Sequence, residues 1–314
     1  MAHKKWDFLR TGDIVDIIAP ASHAPDLKLE NGLEWIESLG LVPRVPDGMI
    51  QPDAFFAAPL ETQLLQLQEA LYSDSKAIWC LRGGYGSMRL IPYLKKMKPP
   101  KRPKLFIGFS DITSLHLYFN QAWGWPTIHG RTISQLSPEL GSTPDRKMLK
   151  KLIFGQLDEM VFKSLRPLNE AAKGEQTISG KITGGNLRIL QSSIGTDWEL
   201  KAKGKILFIE DVSERGYSID RMLEQMIQAK IIHKGLKALV IGDFTGGQEK
   251  DGANLTDTAL IRFAQRVDYP VLKGLPCGHG DQLNYPLPFE TSGILSLGKK
   301  NELRCEIGGV LSKK

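Results

Sequence analysis

The sequence predicts an α/β fold: an N-terminal α/β domain built on a parallel sheet, followed by a smaller C-terminal α/β domain. Three observations predict it. Through the first half, short β-branched or apolar runs alternate with segments of helical periodicity, the pattern of repeated βαβ units. Several of those runs are continuously apolar rather than alternating, as strands covered on both faces are. The rhythm lapses over residues 137–177, rich in Ser, Pro, Gly and charge, and restarts at Thr177. A chain of 314 residues with 41% hydrophobic content has room for two domains and a sizeable core.

The elements follow in order. Residues 13–20 form a β-branched run closed by Pro20, and residues 25–39 read as a helix stopped by Gly40. Residues 41–46 are a short strand broken by prolines, which suits a sheet edge. Leu64, Leu67 and Leu71 recur at i, i+3, i+7 and predict a helix over 61–72. Residues 77–81 and 105–109 read as buried strands, each followed by a helical pattern, over 87–97 (with Pro92 a candidate interruption) and 111–123. In the second half, strands are expected at 177–182, 205–209 and 238–244. Ile219, Met222, Leu223, Met226 and Ile227 mark one helix, and Asn254 caps another that runs to Val267. Residues 294–297 and 303–307 flank a polar turn and predict a hairpin. The expected division is 1–150 for the first domain, 151–176 for a linker and 177–314 for the second.

Composition narrows the function classes. The net charge of +6, from 41 basic and 35 acidic residues, is a mild excess that suits anionic ligands without demanding nucleic acid. The basic residues concentrate in 93–104, where prolines stiffen the chain and no interleaved aromatics offer a stacking surface. No apolar run approaches the ~20 residues of a membrane span, and the N-terminus lacks the apolar core of a signal peptide. Cys80, Cys277 and Cys305 form no CxxC pair, and an odd count argues against a disulfide framework. A cytoplasmic protein without membrane or nucleic-acid partners is expected.

Candidate chemistry collects at strand ends. Ser110 stops the run at 105–109 just before a helix. It reads either as a helix cap or as a nucleophile on a strand–helix turn, with the Asp111 N–H pointing at developing negative charge. Only the first glycine of G-x-S-x-G is present, as Gly108. Arg82-Gly-Gly-Tyr-Gly-Ser87 follows another buried strand, and glycines there let main chain approach a ligand. Gly84 could supply a second oxyanion donor, or the loop is a plain turn or an anion loop. Among six histidines (His3, His23, His116, His129, His233, His279), His279 stands out between Gly278 and Gly280, although a loop histidine is often merely solvated. His116 reads as packing or surface. Glu210 and Asp211 end the strand at 205–209, where pleating sends them to opposite faces. Glu210 could orient His279, or either acid could cap the next helix or pair with Arg215 or Arg221. Cys277 and His279 lack a second ligand pair at zinc spacing, so no metal and no cofactor are expected.

Five segments together resemble the LD-carboxypeptidase family of serine peptidases, which includes muropeptide LD-carboxypeptidases and microcin C immunity-type hydrolases. They are Arg82-Gly-Gly-Tyr-Gly86, Gly108-Phe-Ser-Asp-Ile-Thr113, Gly184-Gly-Asn-Leu187, Phe208-Ile-Glu-Asp-Val212 with Tyr217-Ser-Ile-Asp-Arg221, and Gly278-His-Gly280. They occur in family order over about 200 residues. The resemblance implies a Ser110, Glu210, His279 triad, an oxyanion hole from the N–H groups of Gly84 and Asp111, a site between two domains, and a homodimer. It implies cleavage of cytoplasmic murein tetrapeptides before terminal D-Ala, in peptidoglycan recycling. Arg82 is a candidate for the substrate's free carboxylate or for shaping its loop. Residues 284–289 depart from the family's usual segment after the histidine. The competing expectations are a microcin-type hydrolase of aminoacyl-nucleotide peptides and a non-catalytic protein binding an anionic ligand. The first would use an inserted aromatic loop, but the 151–176 stretch offers only Phe154 and Phe162 as aromatics.

Overall fold

A computed structural model describes residues 5–138, 143–232, 235–280 and 283–308; His3 and His233 lie outside them. The chain forms two compact units, residues 1–156 with 285–287, and 157–284 with 288–314.

In the first unit, β1 (Ile14–Ile18) leads through α1 (Asp26–Ser38) to β2 (Val42–Arg44), and α2 (Leu60–Tyr72) leads to β3 (Ala77–Cys80). After β3 the chain makes a 3₁₀ turn and the short α3 (Ile91–Leu94). Pro92 sits in the first turn of α3, where its missing N–H costs nothing. Then come β4 (Leu105–Gly108), α4 (Thr113–Tyr118), β5 (Thr127–His129) and α5 (Pro144–Ile153). The strands pair in parallel in the order β5-β4-β3-β1-β2, with the proline-broken β2 at an edge. β3 and β4 are buried along their whole length, as their unbroken apolar runs require. The buried face of α2 combines Leu67 and Leu71 with Gln63 and Gln66. The Gln63 amide donates to the Ala19 and Ala21 carbonyls, and Gln66 Oε1 accepts from the Ala19 N–H. Two buried glutamines thus satisfy main chain just beyond β1, where no further strand residue can.

The strand order reverses at β1 and β3, one strand connecting outward to β2 and the other toward β4 and β5. In open parallel sheets ligands gather beyond the carboxyl ends at such a point. The loops that leave β1, β3 and β4 there are residues 19–25, 81–87 and 109–111.

The second unit is a mixed sheet. Its strands are β6 (Glu159–Phe162), β7 (Arg166–Pro167), β8 (Gln176–Asn186), β9 (Lys205–Val212), β10 (Ala238–Thr245), β11 (Val271–Lys273), β13 (Ser292–Leu297) and β14 (Glu302–Glu306). α6 (Leu187–Ser192), α7 (Gly216–Gln228) and α8 (Thr256–Ala264) connect them, while β12 (Leu287–Phe289) extends the first sheet beside β5. The order is β6-β14-β13-β8-β9-β10-β11-β7, with β8 to β11 mutually parallel and β13–β14 the expected hairpin. The stretch 151–176, expected as a linker, instead finishes α5 and supplies β6 and β7. These pair antiparallel with β14 and β11. Partners more than 100 residues away, invisible to local composition, make strands of it.

β8 passes very close to β9. A Cβ on Gly184 would lie 1.9 Å from the Phe208 carbonyl oxygen, and Gly184 has φ +139°. Gly184→Ala therefore clashes with main chain and strains its own backbone. It is expected to cost at least about 2 kcal/mol and to lower the melting temperature by roughly 4–8 °C in a calorimetric scan.

Candidate functional site

Ser110 directly follows Phe109, the N-cap residue of the 3₁₀ turn Ser110–Ile112, and no side chain caps that turn. Ser110 has φ +63°, a left-handed conformation that costs a non-glycine residue about 1–2 kcal/mol. Ala54, Ser164, Ser213, Lys230 and Glu290 share the sign, so strain alone singles out nothing. What marks Ser110 is the glycine loop against it. A Cβ on Gly83 would sit 2.8 Å from Ser110 Cβ and 3.2 Å from its Oγ. The next residue, Gly84, has φ +96° and lies against Ser22; a Cβ there would meet the Ser22 Oγ at 2.5 Å. Ser22 accepts from the Tyr85 N–H at 3.1 Å and donates to the Phe55 carbonyl at 2.8 Å. Its own N–H donates to the Gly83 carbonyl at 3.2 Å.

The Asp111 side chain, only 2% exposed, fastens the loop from the other side. Its Oδ2 accepts from the Ser87 N–H at 2.8 Å, and the Ser87 hydroxyl lies 2.7 Å from both the Asp111 carbonyl and the Ser114 hydroxyl. Burial pushes the Asp111 carboxyl up, and the bonds from Ser87 and Gly86 only partly offset that. Arg82 is exposed, and its guanidinium donates to the His23 carbonyl at 2.8 Å. Ser22 and Ser87 were not legible from sequence, because a small hydroxyl residue beside a glycine loop looks like any turn. His116 is fully buried, with Nδ1 2.8 Å from Thr127 Oγ1 and Nε2 2.8 Å from the Gly108 carbonyl. Burial pulls it down to about 4, so it is a neutral core histidine.

In the second unit the strand-end acids separate as the pleat demands. Glu210 and His279, 69 residues apart, meet: Nδ1–H of His279 donates to Glu210 Oε2 at 2.6 Å. The glutamate side chain is fully buried and the imidazole 16% exposed. Gly278 makes the approach possible, since a Cβ there would lie 2.8 Å from Glu210 Cβ and 2.9 Å from Oε2, and its φ is +125°. Asp211 turns the other way. It accepts from Asn186 Nδ2 at 3.0 Å, from the Arg188 N–H at 2.9 Å and from the Val212 N–H at 2.8 Å. Asn186 meanwhile caps α6 through the Ile189 N–H. Burial and then the Glu210 charge push the Asp211 carboxyl to about 7. Neither arginine considered for these acids is so engaged: Arg215 reaches Glu249 at 4.0 Å, and Arg221 lies over the Tyr217 ring.

Burial opposes charging His279. The Glu210 bond, and the charges of Glu210, Asp211 and Asp243, outweigh it and raise the imidazole above its ordinary value. An imidazole bonded through Nδ1–H to a carboxylate leaves Nε2 as its basic nitrogen. Glu210→Gln removes both the charge and the strongest bond while leaving the burial. The His279 titration, followed by NMR of the imidazole protons, is then expected to move below the ordinary value of about 6.5.

The first unit's residues 15–130 match the N-terminal domain model of LD-carboxypeptidases, and residues 179–295 match the C-terminal domain model. A Rickettsia conorii protein provisionally named a carboxypeptidase is 38% identical over 92% of this chain and 90% of its own. The murein tetrapeptide carboxypeptidase of Pseudomonas aeruginosa is 31% identical over 90% of this chain and 92% of its own. Among solved structures, muramoyltetrapeptide carboxypeptidase from Oxalobacter formigenes superposes with a TM-score of 0.79 at 28% identity, covering 93% of this chain and 98% of that one. With both domain models matched in order across more than half of its length, the chain belongs to the LD-carboxypeptidase family.

Proposed function

We propose that the chain is a serine carboxypeptidase that cleaves the L,D-peptide bond before terminal D-Ala in murein tetrapeptides, in the cytoplasm, as a step of peptidoglycan recycling and as a homodimer. The observation that carries this reading is the Glu210–His279 bond at 2.6 Å. A histidine held by a buried carboxylate is suited to take the proton of a nucleophile. Ser110 fits that nucleophile, because its positive φ and the adjoining Gly83 set the hydroxyl on a sharp strand–helix turn. The murein relatives supply the substrate class.

Ser110 Oγ attacks the carbonyl of the L-centre as His279 Nε2 takes its proton. Glu210 holds the useful tautomer and stabilises the imidazolium. The Gly84 and Asp111 N–H groups receive the oxyanion, each donor contributing about 3 kcal/mol. His279 then protonates the departing D-Ala amine, and water attacks the acyl-enzyme with His279 again as base. Arg82, tethered to the His23 carbonyl, is the proposed recognition point for the free carboxylate. The microcin-type reading loses support because Phe162, one of only two aromatics in 151–176, is buried in β6.

The test is D-Ala release from murein tetrapeptide by wild type and Ser110→Ala. Wild type should turn over and the variant should lose at least about 10³-fold in kcat while keeping its fold by circular dichroism. Cleavage of an aminoacyl-sulfamoyl-adenosine alone, or tetrapeptide binding without turnover in wild type, defeats the proposal. Because His279 must be neutral to act as base, kcat/KM should fall as pH drops through its raised value. The acid limb is therefore expected above pH 6.5, the ordinary histidine midpoint.

A further inference from the structure

Glycines on both sides of His279 give its loop freedom that a general base cannot use. The end of β10 removes it. The pairing of β9 with β10 shifts between Ile241 and Phe244, and Asp243 stands at the shift. The Asp243 N–H donates to the Cys277 carbonyl at 2.9 Å. Its carboxylate accepts from the Gly280 N–H. The approach is tight enough that a Cβ on Gly280 would lie 2.6 Å from Asp243 Oδ2. Two residues on, the Thr245 hydroxyl donates to the His279 carbonyl at 3.1 Å. The strand end thus grips the main chain before, at and after His279, while Glu210 holds the ring.

We propose that Asp243 is a positioning residue for His279: its N–H and carboxylate pin the two ends of the 277–280 turn, and its negative charge favours the imidazolium formed when His279 takes the nucleophile's proton. This rests on the reading of His279 as the general base. The charged groups facing the imidazole come from two strand ends, Glu210 and Asp211 on β9 and Asp243 on β10. Asp243 itself feels Lys273 at the end of β11, which also pairs with Asp257. Burial, then the Glu210 charge, pushes Asp243 up to about 6, against the pull of Gly280, Lys273 and His279. At about 6 the Asp243 carboxyl is ionised at neutral pH.

A merely structural staple needs an acceptor and no charge, so the amide variant separates the two roles. Two measurements are made on wild type, Asp243→Asn and Asp243→Ala: the NMR titration of the His279 imidazole without substrate, and kcat/KM against pH on murein tetrapeptide. In Asp243→Asn the titration midpoint and the acid limb should both move to lower pH, because one of the charges favouring the imidazolium is gone. In Asp243→Ala kcat should fall about 10- to 100-fold with KM within about twofold, the signature of a misplaced base rather than lost binding. Asp243→Asn should recover most of that kcat. A midpoint unmoved in Asp243→Asn, or an unchanged kcat in Asp243→Ala, overturns the proposal. If wild type hydrolyses no murein peptide, the carboxypeptidase reading fails, and the substrate-free titration still decides the role of Asp243. If Asp243→Ala does not fold, the Asn titration decides it alone.

Discussion

The hydrogen bond between Glu210 and His279 is the constraint to which the second unit is fitted. A carboxylate with no solvent exposure costs several kcal/mol to bury unless it is met by a partner. Its partner comes from a loop 69 residues away, so three separate features must agree for the bond to exist. β9 must end with Glu210 turned to the loop's face. Residue 278 must be without a side chain, because any Cβ would occupy the carboxylate's space. The loop must also be anchored, which the Asp243 N–H and the Thr245 hydroxyl accomplish. Remove the imidazole and an uncompensated charge is left behind. The pair therefore couples the chemistry of the site to the stability of the unit.

The two units use different means. Around Ser110 glycine main chain lies against side chains, Gly83 on Ser110, Gly84 on Ser22 and Gly86 on Phe56, while Ser22, Ser87 and Asp111 pin the loop. Charge enters through the Asp111 carboxyl, whose oxygens are directed at the N–H groups of residues 86 and 87, and through the Arg82 guanidinium on the His23 carbonyl. Around His279 the arrangement is mainly electrostatic. Burial and then the Glu210 charge raise Asp211 and Asp243, and the charges of all three acids favour the imidazolium of His279. Parallel strands deliver this naturally, because their carboxyl ends all open on the same side.

Much of this was legible in the sequence, for a local reason. Buried parallel strands are short apolar runs, and a polar residue that ends one stands out, as Ser110 and Glu210 do. Gly278 and Gly280 flag His279 by the same logic. Asp243 lies inside the strand expected at 238–244 and nothing local marks it, since its role depends on a register shift with β9. Gln63 and Gln66 look like solvent-facing positions beside Leu64 and Leu67. Only the unpaired main chain after β1 explains why they turn inward. Residues 159–167 look like linker because their partners, Arg304 and Leu272 among them, lie beyond any local window. Motifs crowded at strand ends are readable; pairings that span a hundred residues are not.

The backbone angle at Ser110 has an evolutionary consequence. At φ +63° glycine would sit without the steric penalty that serine bears, and the fold would gain on the order of 1 kcal/mol from the exchange. Random substitution screened only for thermal resistance would thus find position 110 among the easy improvements, and would discard the hydroxyl proposed as the nucleophile. Stability selection and retention of the serine pull in opposite directions at a single codon. With Ser110 as the proposed nucleophile, the ease of that loss makes glycine at 110 a signature to look for in relatives that keep the fold and have given up turnover.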